Sequence, residues 1–114
     1  MSNYSKLIAT PGIVAVTVGR AGALPDDPAL TPRLTHFGEE KWQPILQASL
    51  VLLYCAGADA EDLRVVVLDH TIHVQREGAL VFAVCIPTGH GVGKSVRRMI
   101  RRAVKAERST AGAA

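Results

Sequence analysis

Aromatic residues are scarce in this sequence: one Trp, two Tyr and two Phe in 114 residues. That scarcity excludes an aromatic core, so any packed interior is built from Val, Leu, Ile and Ala. It also leaves few platforms on which unpaired bases stack. Cysteine is almost as rare. Cys55 and Cys85 each sit inside an apolar run, with neither a CxxC spacing nor a secreted disulfide framework. Both are read as buried thiols in a reducing compartment. The longest apolar run, Ala48 to Ala58, is interrupted by Ser49 and is too short to cross a bilayer. The N-terminal segment lacks the charged and apolar regions of a secretory signal. A cytoplasmic protein is expected.

Acidic residues are missing from one place in particular. Between Lys94 and Arg108, Glu107 stands against seven basic residues, so the segment carries +6 where the whole chain carries +3, and the remainder carries −3. The chain is a mildly acidic body with a strongly basic C-terminal element. With 48% hydrophobic and 20% charged residues it is globular in composition. Its length fits one domain, expected over residues 1–108 with a flexible tail at 109–114.

The periodicities predict an ordered series of elements. Ser2–Ala9 fits a short helix before Pro11, and the β-branched run within Gly12–Gly22 fits a strand. Pro25, Pro28 and Pro32 exclude regular structure around them, leaving room for a short edge strand near Leu34. Glu39–Gly57 reads as a helix with Trp42, Ile45, Leu46, Ser49, Leu50 and Leu53 on one face, yet Val51, Leu52 and Cys55 elsewhere are apolar too. A helix apolar nearly all round is covered on more than one side. In so small a domain the second cover is expected to be another chain.

Leu63–Asp69, Thr71–Arg76 and Leu80–Ile86 then read as an antiparallel meander, turning tightly at Asp69–His70 and at Glu77–Gly78. Gly93–Arg108 reads as a closing helix. Val96, Met99, Ile100, Ala103 and Val104 form its apolar stripe, and Arg97, Arg98, Arg101, Arg102 and Lys105 occupy the rest.

PTGHGVGKSV, Pro87 to Val96, approaches a phosphate-binding loop. The motif G-x-x-x-x-G-K-[ST] requires glycine at position 88, where Thr88 stands, and Gly89 comes one place late. A P-loop also needs parallel strands, which turns this short forbid. The glycines are read as turning the chain, with Thr88 or Ser95 capping the helix.

His70 and His73 form an HxxH pair whose members point to opposite faces of a strand and so do not share a metal. His36 and His90 stand alone in loops. Asp26, Asp27, Glu61 and Asp62 read as loop and turn acids. No nucleophile–base set is visible, so no enzymatic activity, cofactor or metal is expected. The basic helix serves an acidic protein partner or, as the alternative function, nucleic acid.

The second half, EDLRVVVLDHTIHVQREGALVFAVCIPTGHGVGKSVRRMIRRAV, with PGIVAVTV before it, resembles the Roadblock/dynein-light-chain family. The resemblance lies in an acidic turn, a V-V-V-L strand, a polar strand, an apolar strand, a small-residue loop and a helix of L/M-x-x-x-R-R-A character. It implies an α+β fold, an antiparallel sheet sandwiched by helices with longin- or profilin-like layering.

The resemblance further implies a homodimer, or a heterodimer with a paralogue, through the middle helix and the adjoining strand edge. Here that points to Trp42, Leu46, Ser49, Leu50 and Leu53. Arg97, Arg98, Arg101, Arg102 and Lys105 then form a partner-binding basic face. Bacterial members of the MglB type are similar in acting on Ras-like small GTPases in polarity and motility. Two departures, a short first helix and ALPDDPALTP in place of a regular second strand, favour an adaptor over direct GTPase activation.

Overall fold

The computed structural model describes residues 5–20, 34–36, 38–56, 60–78 and 80–113. The Pro-rich stretch and Gly57 lie outside the described residues. A short helix, α1 (Ser5–Ala9), leads into β1 (Ala15–Arg20) and β2 (Leu34–His36). Then come α2 (Trp42–Cys55), β3 (Asp62–Val67), β4 (His70–Glu77) and β5 (Leu80–Pro87). A 3-10 turn (Gly91–Lys94) and α3 (Val96–Ala113) close the chain. The five strands form one sheet in the order β2-β1-β5-β4-β3, every neighbouring pair antiparallel. This is the α+β architecture expected from the sequence, with a helical layer on each face and Roadblock-like layering.

Each face carries its own core. On one side α2 lays Trp42, Leu46, Leu50 and Leu53 over Ala15, Ile72, Val74, Val81, Ala83 and Cys85. On the other, α1 and α3 bring Leu7, Val96, Ile100, Ala103 and Val104 to Val16, Val18, Phe82, Val84 and Ile86. The near-continuous apolar run of β5 follows from this. The strand lies between β1 and β4 under helices on both sides, so Val81 through Ile86 are all buried. β4 alternates because its Ile72 and Val74 enter the apolar core under α2 while His73 between them faces the other side of the sheet.

Pro44 is the third residue of α2, where its missing N–H is one the helix leaves unpaired anyway. α3 continues past Arg108 to Ala113, over residues expected to be a tail. That stretch holds no proline to break the ladder, which runs on through Ser109, Thr110 and Gly112.

The β4–β5 hairpin turns at Gly78, with φ +61°, as read from the sequence. The β3–β4 turn lies one residue earlier than expected. Val67 pairs with His70, so Leu68 and Asp69 form the connection, and Leu68 takes φ +55°. A positive φ at the first turn residue alone is the type II′ pattern, which favours glycine. Leu68 is 94% exposed and gains nothing from burial to offset that strain. Leu68→Gly is therefore expected to stabilise the fold by about 0.5–1 kcal/mol, the relief of left-handed strain less the entropy glycine adds to the unfolded chain. An unchanged or lower urea midpoint would contradict this.

Candidate interaction surfaces

The five residues expected at a dimer seam lie in this chain's own interior. Trp42, Leu46, Ser49, Leu50 and Leu53 are between 0% and 5% exposed. The sequence identified a true face of α2, but that face meets the sheet. Ser49 is satisfied within the helix, its Oγ donating to the Ile45 carbonyl at 2.8 Å. Trp42 packs at 60° against the His70 ring with centroids 4.7 Å apart, and Lys41 Nζ stands 5.2 Å from the Trp42 centroid. His70 Nδ1 lies 2.8 Å from Asp69 Oδ1.

What α2 turns outward is different: Gln43, Pro44, Ala48, Leu52 and Cys55 are exposed, and Gln47 and Val51 half-exposed. Leu52 is 50% exposed. This flank is uncharged and largely apolar. β3 is an edge of the sheet, and its Leu63, Val65 and Val67 partly cover the α2 core. Its backbone polar groups on the outer side face no other strand of this sheet, and Val66 is 66% exposed. Cys55 was expected to be buried with Cys85; only Cys85 is. Helical spacing places Cys55 next to Val51 and Leu52 on the outward flank, three and four residues along. Burial pushes the Cys85 thiol up to about 11, so that sulfur stays protonated and inert.

On the opposite side of the molecule the basic helix divides into two rows. Arg97 reaches Asp62 at 3.6 Å, and Arg101 Nε donates to Glu77 Oε1 at 3.3 Å, where Gln75 Nε2 also donates at 2.7 Å. These cations lean back over β3 and β4. Arg98, Arg102 and Lys105 form the outer row, exposed and without an ion-pair partner among the described residues. The sequence supplied all five cations. It did not supply the division, which depends on acids brought in by the sheet.

The phosphate-loop reading fails on hydrogen bonds as well as spacing. A phosphate cradle needs a set of unpaired amides. Here Thr88 N–H donates to the Asp69 carbonyl, His90 N–H to Pro87, Gly93 N–H to His90 and Ser95 N–H to Val92, all within 3.0 Å. Val92 N–H donates to His90 Nδ1 at 3.1 Å. His90 therefore caps the 3-10 turn that precedes α3. Thr88 instead places its hydroxyl 2.9 Å from that of Thr71, and Ser95 takes the Met99 N–H on its carbonyl.

His70 and His73 fall on opposite faces of β4, the first against Trp42 and the second beside Gly93. Among the described residues no group of three or more His, Cys, Asp or Glu could hold a metal, and no helix is long and apolar enough to cross a membrane. Against known proteins, no family model matches the chain. No curated protein matches it either.

Proposed function

We propose that this chain is a non-enzymatic, Roadblock-type adaptor that pairs with a second copy of itself and presents its basic helix to an acidic protein partner. One observation supports the reading above others: α2 carries an uncharged, largely apolar exposed flank, and β3, which packs on the core of the same helix, is an open sheet edge. Two copies related by a twofold axis would join their β3 edges in antiparallel fashion, extend the sheet, and bring their α2 flanks together. The other edge, β2, is only three residues long and offers less backbone. Pairing thus rests on Ala48, Val51, Leu52 and the β3 edge, in place of Trp42, Leu46, Ser49, Leu50 and Leu53.

The partner class follows from the resemblance in element order: a Ras-like small GTPase or its regulatory complex, in a pathway of the polarity or motility type. The row Arg98, Arg102 and Lys105 would select it by charge and speed encounter. Nucleic acid is the second reading. Contacts made by the three outer-row cations of α3 alone would give a log–log salt slope of about −3.

Light scattering on the purified chain at micromolar concentration is the direct test. The expected result is twice the chain mass, with Leu52→Asp weakening pairing at least tenfold and leaving the circular dichroism unchanged. A strictly monomeric native chain, or a Leu52→Asp variant that pairs equally well, ends the proposal. A salt-dependent gel shift abolished by Arg98→Glu with Arg102→Glu would favour nucleic acid instead.

A further inference from the structure

Between β3, β4 and the start of α3 lies a cleft of about 200 Å³, on the sheet face away from α2. Arg64 from β3, His73 from β4, Lys94 from the 3-10 turn and Arg97 from α3 line it, with Asp62 as the acid in its wall. Arg64 and His73 face each other across the paired strands. A Cβ built on Gly93 would press on Ile86 Cδ1 at 2.9 Å and lie in ordinary contact with His73 Nε2 at 3.7 Å, which places the turn directly beside the imidazole. Asp62 is engaged by Arg97. Arg64 and Lys94 have no ion-pair partner among the described residues.

We propose that this cleft binds a phosphoryl group, either free phosphate or the phosphate of a phosphorylated side chain, held by Arg64, Lys94 and Arg97 beside His73. Three cations from three separate elements converge on one recess, and one acid offsets only part of their charge. The two charges left over match a phosphate dianion, and arginine supplies the planar fork that oxyanions accept. A volume below the roughly 300–1,000 Å³ of drug-sized sites admits such a group and not a nucleotide. Recognition is by side chains, which agrees with the spent amides of the adjoining loop.

His73 reports occupancy. The groups facing it are Asp62 and Arg64 from β3, Gln75 from its own strand, Lys94 from the turn and Arg97 from α3; Val84 is its partner on β5. Burial, with Arg64 second, holds its imidazole below the ordinary histidine value. An anion beside it favours the charged ring and moves the value back up.

The test is an NMR titration of the full chain with inorganic phosphate against sodium chloride of equal ionic strength. Expected are saturable shifts at the Gly93 amide and the His73 ring, with the His73 pKa rising by about one unit. Arg64→Gln with Lys94→Gln should weaken binding at least tenfold, whereas Arg98→Gln with Arg102→Gln should retain it. A parallel titration with capped phosphoserine identifies the source: tighter binding than phosphate points to a protein-borne group, weaker binding to the free ion. Shifts that never saturate, or that survive the Arg64/Lys94 change, overturn the site. Light scattering on the same variants keeps this result separate from the pairing proposal.

Discussion

Leu46→Ala is expected to lower the free energy of unfolding by about 2–5 kcal/mol. Leu46 is fully buried, set among the sheet residues that face α2, so truncation leaves a cavity the backbone cannot close. The location of the loss is the informative part. A residue at a subunit seam destabilises by weakening association, and its effect varies with protein concentration. A residue inside the subunit costs the same in a monomer. In a Leu52→Asp background, where pairing is removed, the Leu46→Ala penalty should therefore persist undiminished, because the two side chains lie on opposite flanks of α2 and share no covering surface. Urea unfolding at two protein concentrations measures both terms. If Leu46→Ala costs less than about 1 kcal/mol in the monomeric background, the assignment of this face to the sheet is wrong.

The same residues show where sequence reading succeeds and where it stops. Spacing placed Trp42, Leu46, Ser49, Leu50 and Leu53 together, and they are together. Periodicity identifies a face of a helix but not what covers it. Since α2 is apolar on both flanks, either one fitted the sheet, and the richer flank took it. The meander was legible for a firmer reason: β4 alternates and β5 does not, and only a strand covered on both faces can afford continuous Val, Phe and Ile. The outer edge strand at Leu34 followed from proline exclusion alone.

The recess at Arg64, His73, Lys94 and Arg97 was not legible. Its members sit on four elements, and no spacing rule joins Arg64 and His73 on the strands to Lys94 and Arg97 on the turn and helix. A faint signal did exist. Arg64 interrupts an otherwise apolar strand, and Lys94 lies outside the helical stripe, so both were charges without a local reason. Asp62 was read as a turn acid, yet it opens β3 and reaches Arg97.

Gly12→Ala is expected to cost about 2–4 kcal/mol, for two separable reasons. Gly12 has φ +94°, a conformation that side chains resist, and a Cβ there would lie 2.5 Å from His90 Cε1 and 2.8 Å from both ring nitrogens. The ring cannot retreat without cost, since its Nδ1 accepts the Val92 N–H that starts the 3-10 turn. Gly89 separates the contributions. It has φ +83° but nothing within 4 Å of its Cβ position, so Gly89→Ala should show the backbone cost alone, about 1–2 kcal/mol. The difference between the two variants is the steric part. It should vanish when Gly12→Ala is combined with His90→Ala, which empties the space the methyl needs. Should Gly12→Ala and Gly89→Ala unfold at the same urea concentration, His90 does not press on Gly12.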